Sequence, residues 1–577
     1  MSLKTTFLKL FKWNTSDDED LNSNFDIDTA MNDNWDNIDN AMSDLSGNKV
    51  DKVEGKQLSS EDYTLDEKNK LKNIAAGAQV NVIEKLTIDG KAVSVTSKSA
   101  EIKDAEVKNA RKSTIKDKTF ESVTARIEEL EEDVDSIETT RGHVYGVRRK
   151  ITDNSSSAWE RLFDGVGKTA TATKNGGSVQ NDFDNLAPWS EIKSCNYDLE
   201  TKKIKAWFGD ANFKFTGENG DVFTYYPKTY WKIYQENDYD YVLLADYPKA
   251  GFTEVDGFFI GRYNGSVVSS DSKLHSYSGL VPTTNKNIAQ FRTLAQALGD
   301  KFSQLDWRFF VVQMLYLVEY ANYNSQSMLG NGVMNRKNLK ALVAEKGVNR
   351  VIVGSSSGYY VGQIIRIGTS DGGTQIADER KITKIDPYNE EPITGYAITF
   401  DGTPVDIAVD NFVCTMAQIT GQCDNLGMKS GCINNDGYHS MIYRGVENIF
   451  ANIWQWVDGI NIREHVAYIC KDHSKYASNK FDEAYKPLAY TNAAENGYPK
   501  TLGLDVDEPF FRFPTAVGGS SSTYMSDYYW QSTGDRVARV GGSFNVGASD
   551  GFWCWYFSGT SSHADWTVGC RVLIDNQ

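Results

Sequence analysis

GGSFNVGASDGFWCWYFSGTSSHADWTVGCRVL, from Gly541 to Leu573, sets Phe552, Trp553, Trp555, Tyr556 and Phe557 almost side by side among Gly, Ser and Asp. A strand buried on both faces would be rich in Val and Ile, and a membrane span would not carry this many small polar residues. If GFWCWYFS is a strand, its period of two puts Phe552, Cys554 and Tyr556 on one side and Trp553, Trp555 and Phe557 on the other. One set is core and the other is available. The stretch TYMSDYYWQSTGD (Thr523–Asp535) repeats the recipe upstream with Tyr528 and Trp530. Exposed Trp and Tyr give large, rigid contact area at little entropic cost. The expectation is a binding face built from Tyr528, Trp530, Trp553, Trp555 and Trp566, with Phe544, Asn545, Ser549 and Asp550 from the adjoining loops.

Working outward, 577 residues are too many for one ordinary core and imply several units. Charged residues at 24% and hydrophobic ones at 40% fit a soluble globular protein. The net charge is −17, and ten acidic residues with no Lys or Arg lie between Asp17 and Asp44. That balance argues against a nucleic-acid partner, which Lys and Arg would have to hold. The N-terminal MSLKTTFLKLFKW lacks a signal-peptide pattern. The longest apolar run, WRFFVVQMLYLVEY (Trp307–Tyr320), is shorter than the roughly 20 residues of a spanning helix and reads as a buried helix, so no membrane insertion is expected. Seven cysteines without CxxC spacing read as reduced, buried thiols rather than zinc ligands.

Residues 1–50 read as a small helical unit, with Met31, Trp35, Ile38 and Met42 at helical spacing. Residues 51–120 are polar and poor in aromatics, a shaft or linker. Over 121–141, Val123, Ile127, Leu130, Val134 and Ile137 form a two-heptad seam flanked by acids. So narrow a seam folds only against neighbours, and self-association follows. The words Asp62-Tyr63-Thr64, Glu67–Leu71 and Ile74–Ala78 resemble a shaft segment of phage tail-fibre and baseplate receptor-binding proteins, and DLNSNFDID and NWDNID are similar to their attachment end. The resemblance implies a homotrimer attached to baseplate or tail proteins; the seam itself leaves the strand number open.

From residue 142 onward aromatics rise, and 349–416 stand apart as short alternating runs broken by Gly, Asp and Pro, a small inserted β domain. On either side, TYYPKTYWKI (Thr224–Ile233), GFFIGRY (Gly257–Tyr263), FRTLAQALGDKFSQLDW (Phe291–Trp307), LYLVEYANYNSQSMLG (Leu315–Gly330), YRGVENIFANIWQWVDG (Tyr443–Gly459), RVARVGGSF (Arg536–Phe544) and GCRVL (Gly569–Leu573) follow in order. They resemble the C-type-lectin-like fold of formylglycine-generating enzymes and of retroelement-diversified phage receptor-binding proteins. The resemblance covers roughly 190–348 and 417–577. It implies an α+β class overall: an elongated multidomain fibre with a helical anchor (1–50), shaft (51–120), short coiled coil (121–141) and lectin-like head (142–348 and 417–577) around the inserted domain. Within it Trp454, Trp456 and Arg571 read as structural residues.

The enzymes of that family carry two cysteines just beyond the G-G-S word, where this chain has Asn545–Asp550 and none. Their thiolate chemistry is absent. The six His are scattered, and neither HExxH nor a Walker loop occurs. GSSSG (Gly354–Gly358) lacks the strand–elbow–helix context of a serine hydrolase. Calcium is open through Asn452, Asp458 and Asn461, which are oxygen donors of suitable type; otherwise no cofactor is expected. The function implied is a non-enzymatic receptor-binding protein of the virion tail tip that adsorbs to a bacterial surface glycan or protein. The alternative is a tail-associated polysaccharide depolymerase, its carboxylate pair hidden among many acids, and a purely structural baseplate subunit comes third.

Overall fold

The computed structural model describes residues 120–130, 142–177 and 179–575, with short strand pairs and residues 66 and 69 before them. The chain falls into two units, Met1–Gly142 and His143–Gln577. In the first, antiparallel pairs join Leu3–Lys4 to Phe11–Lys12, Leu86–Ile88 to Lys91–Val93, and Lys112–Ser113 to Lys118–Thr119. Residues 123–130 are helical, with Val123 half-buried and Ile127 and Leu130 exposed at 49% and 50%. Val134 and Ile137, which complete the expected seam, lie outside the described residues, as does most of 1–119.

The second unit is built from antiparallel sheets. Five strands pair in the order Thr253–Val255, Thr229–Glu236, Tyr239–Ala245, Val144–Lys150, Glu160–Phe163. Six pair in the order Lys203–Trp207, Lys193–Asp198, Asp221–Tyr226, Phe258–Gly261, Val572–Asp575, Phe302–Gln304, so the last strand of the chain closes between two much earlier ones. A third sheet runs Lys486–Pro487, Val466–Ile469, Trp454–Arg463, Asp535–Val540, Trp555–Phe557, Tyr529–Gln531, with Val568–Gly569 added in parallel against Trp454–Gln455. Residues 338–415 pair among themselves, from Asn338–Lys340 to Phe412–Thr415, around their own core of Val351, Ile365, Ile382, Ile398 and Val413. Their first strand begins upstream of the expected start at residue 349.

The α+β class is therefore corrected: the architecture is mostly antiparallel β, as in all-β proteins, and what is described of residues 1–50 is a strand pair, not a helical anchor. The physical reason lies in the pattern of the chain. Its aromatic and β-branched runs are short and broken by Gly, which favours strands and turns. Apolar residues recur at helical spacing in few places, and the described helices of the second unit are Ile288–Gln296, Arg308–Tyr320 and Ser325–Leu329. Arg308–Tyr320 is buried along its whole length and packs between two sheets. Phe310 stacks on Trp555 at 5.0 Å, and Val147, Trp231 and Leu244 of the five-stranded sheet share its core. The other face of the Trp454–Arg463 sheet packs on the helix Ile288–Gln296 and the six-stranded sheet through Trp454, Trp456, Val537, Phe291 and Phe223.

Close approach fixes glycine at one point in the central strand. Its ladder with Asp535–Val540 is interrupted between Val457 and Asn461, where Gly459 has φ +77°, and a Cβ there would meet the Cys470 carbonyl oxygen at 2.3 Å. All seven cysteines are buried and free. Among the described residues no helix is long and apolar enough to cross a membrane.

Candidate functional site

Strand register decides which aromatic residues a ligand can meet. Trp456 opposes Arg539, Arg539 opposes Tyr556, and Tyr556 opposes Trp530. Opposed residues share a face of the sheet, so these four form a row across it, with Trp454 on the same face two residues along. Trp555 opposes Val540 and Tyr529 and points the other way, into the core around Arg308–Tyr320. Trp553 lies before the strand and packs edge-on to Tyr323 at 5.0 Å.

This parity corrects the expected face. Trp553 and Trp555 are each 1% exposed and Phe544 and Asp550 are 0% exposed, so none of the four can touch a ligand. Tyr556, assigned to the opposite set, is the half-buried ring of this strand. Tyr528 and Trp530 do come together, with centroids 4.5 Å apart. Tyr498 extends the row 5.0 Å beyond Tyr528, and Tyr556 continues it 5.8 Å from Trp530. Trp454 backs it, edge-on at 5.7 Å to Trp530 and 5.5 Å to Tyr556. Tyr498, Tyr528, Trp530 and Tyr556 are all half-buried.

Arg539 closes the end of the row. Its Cζ lies 3.8 Å from the Tyr556 centroid and 5.1 Å from that of Trp454. The residue is 5% exposed, and its Nε and Nη1 are buried without a hydrogen-bond partner. Burial pushes the guanidinium down to about 10, against the opposing pull of Tyr556 and Asp565. Arg148 Nη2 and Arg149 Nε, on two other buried arginines of this unit, also lack a hydrogen-bond partner, whereas Arg571, Arg444 and Arg512 are engaged. Arg571 donates to Gln455 and to the carbonyls of Gly261, Arg262, Glu447 and Asn448. Arg444 forks onto Glu319, and Arg512 onto Asp240. The Arg571 network ties the GCRVL word to the Gly257–Tyr263 and Tyr443–Gly459 words and is structural.

The loop before the row is held by two buried carboxyls. Asp527 Oδ2 accepts from the Trp553 N–H at 2.8 Å, and Asp550 Oδ1 from the Ser543 N–H at 3.1 Å. A Cβ on Gly542 would fall 1.7 Å from Asp550 Oδ1, and one on Gly551 2.2 Å from Asp527 Cγ, so both glycines make room for a carboxyl. Burial raises Asp527 to about 8 and Asp550 well above the carboxylate range, Asp527 adding to the latter. From this loop, the Ser549 carbonyl accepts from the Tyr528 N–H at 3.0 Å. Asn545 is exposed and receives the Ser543 hydroxyl at 2.8 Å.

Trp566 is half-buried, and the contacts of its ring are with two arginines and Phe544. It sits between the guanidinium groups of Arg336 and Arg366, 4.9 and 5.2 Å from its centroid, and edge-on to Phe544. Arg366 belongs to the strand Ile364–Gly368, so Trp566 joins the 338–415 domain to the body of the unit.

The three oxygen donors considered for calcium are committed elsewhere. Asp458 is gripped by Arg292 and Gln304, Asn452 Oδ1 accepts from the Gln418 N–H, and Asn461 Oδ1 from the Asn479 N–H. A separate cleft of about 550 Å³ is lined by Trp189, Phe208, Met428, Lys193 and Lys429 among others. Its acids are engaged, Asp184 by Arg444 and Asp424 by Tyr263 and Arg262.

Tyr498, Tyr556 and Arg539 are the site residues that sequence reasoning missed. Alternation in GFWCWYFS offered both parities, and only the ladder to Arg539 and Trp530 chooses between them. For Arg539 in RVARV, and for Tyr498 far from its partners in the chain, no local signal exists. No protein-family model and no curated protein sequence matches this chain.

Proposed function

We propose that this chain is a receptor-binding protein of a phage tail, a non-enzymatic adhesin that meets the bacterial surface through the row Tyr498, Tyr528, Trp530 and Tyr556. The single observation carrying the reading is that row: four half-buried rings in succession, Trp530 and Tyr556 on adjacent strands and Tyr528 and Tyr498 beside them, with a guanidinium lacking a hydrogen-bond partner for two of its nitrogens. Burial of a ring's body fixes its position, and the part left in water is ready for contact without further ordering. The shaft and attachment words upstream support a place on the tail. The apolar positions Ile127 and Leu130, about half exposed on their helix, support association with further copies of the chain. Several copies displayed together would raise weak single-site binding by avidity.

The test is adsorption to envelopes of the host strain, measured by pull-down with the full chain and with the fragment 143–577. Both are expected to bind, and Trp530→Ala or Tyr528→Ala is expected to lower capture at least tenfold without lowering the melting temperature by more than a few degrees. Undiminished capture by a folded double variant would remove the row from the reading. Absence of capture by either wild-type form would overturn the reading itself.

A further inference from the structure

Resting on that proposed role, we infer that the loop Gly541–Gly551 is a proton-held latch on the aromatic row. It keeps Tyr528 and Tyr498 in binding position while Asp527 and Asp550 are neutral, and releases them when these acids ionise. The latch is a matter of contacts. Ser549 accepts the Tyr528 N–H on its carbonyl at 3.0 Å, and its hydroxyl lies 3.4 Å from that of Tyr498. The next residue, Asp550, is sealed: Oδ1 accepts from the Ser543 N–H, and Oδ2 is buried without a partner. Asp527 ties the loop to the row from the other side, with Oδ2 on the Trp553 N–H and Oδ1 accepting the Ser526 hydroxyl at 3.3 Å. Gly542 and Gly551 press on the two carboxyls too closely for a Cβ, which leaves no room on that side for the water a carboxylate needs. The titratable groups felt around the pair are Cys554 in the same segment and Tyr316 on the helix Arg308–Tyr320, and the two acids act on each other. Arg539, on the strand Asp535–Val540, reaches Cys554 and pairs with neither acid among the described residues. The helix Ser325–Leu329 brings the uncharged Ser325 and Gln326 against the loop. A sealed carboxyl without a counter-charge ionises only at a large cost unless water reaches it. Asn545–Ser549 is the part of the loop that already meets solvent, so it is the cover that gives way, and it takes Ser549 from both tyrosines. Burial holds Asp527 up at about 8, so its neutral form dominates below that pH and is lost above it.

Two readouts on the full chain test the latch. One is envelope capture as a function of pH. The other is hydrogen exchange of the peptide carrying the Tyr528 amide, compared between wild type and Asp527→Asn at each pH, which cancels the intrinsic pH dependence of exchange. Wild-type capture is expected to fall roughly tenfold between about pH 7 and pH 9, as one proton lost near pH 8 implies, and protection of the Tyr528 amide to fall with it. Asp527→Asn, which keeps an acceptor for the Trp553 N–H and has no charge to gain, is expected to hold both at the higher pH. Melting curves show that each form is folded where it is measured; should Asp527→Asn not fold, Asp550→Asn takes its place. Wild-type capture or protection that stays level over this range, or that falls equally in wild type and a folded variant, overturns the inference. Protection that falls in wild type and not in Asp527→Asn, without envelope capture at any pH, supports the latch and overturns the adhesin reading instead.

Discussion

Asp527 shows how much a single side chain can say about this molecule. It is fully enclosed, faces Gly551, and has no cation beside it among the described residues, so its neutral form is the one the fold prefers. The folded-state value of about 8 lies above the ordinary 3.8. The stabilisation linked to its proton is therefore complete below pH 3.8 and is lost as pH rises toward 8, at about 1.4 kcal/mol per unit for one proton. Asp550 acts in the same direction. Melting temperature is expected to fall between pH 5 and pH 8, and Asp527→Asn to flatten that slope and raise stability at pH 8. A steeper fall in the variant, by calorimetry across that range, would contradict the assignment of a buried neutral acid. Nothing in SDYYWQ announces this role, because an Asp beside two tyrosines could as well face water.

Within the strand Trp555–Phe557, neighbouring residues have opposite fates. Trp555 is locked against Phe310 and Phe513, and Tyr556 lies over Arg539 at the row. Trp555→Ala is expected to cost about 3–5 kcal/mol, as removal of a buried aromatic ring does, and to lower the midpoint of chemical denaturation. Tyr556→Ala is expected to cost less stability and far more adsorption. If the two variants lost stability and adsorption in the same proportion, the two-faced description of the strand would fail. The helix Arg308–Tyr320 was legible beforehand because a long apolar run bounded by turn residues has one economical structure inside a soluble protein. GFWCWYFS was read as a strand throughout, whereas only Trp555–Phe557 is one, and its parity was not legible. Aromatic residues stood on both faces, and alternation carries no sign when both faces are apolar.

At the scale of the chain, the described unit His143–Gln577 has cores that draw on segments far apart in sequence. Val572–Asp575 pairs with Phe258–Gly261 and Phe302–Gln304, and Arg571 gathers carbonyls from two further segments. The fragment 143–577 is accordingly expected to melt as one cooperative transition, apart from any contribution of the 338–415 domain with its separate core. Upstream, Ile127 and Leu130 remain in water on an isolated chain. Replacing both by Asp is expected to lower the mass found by sedimentation equilibrium of the full chain while the 143–577 melt stays unchanged. A mass that did not move would remove this seam from the assembly.

Composition and periodicity alone were enough for the buried helix, the buried thiols and the β nature of the segment after residue 349, since each depends on residues close together in the chain. The overall class went astray because helical spacing in two short N-terminal stretches, Met31–Met42 and Val123–Ile137, was joined to a resemblance and given weight over the long remainder, whose short Gly-broken runs favour strands. Which aromatic ring faces water, where Arg539 stands and why Trp566 is held between two arginines emerged only with the fold. Each of these depends on the register of strands and contacts distant in sequence, and that pairing is settled by the packing of whole sheets against one another, which no local pattern encodes.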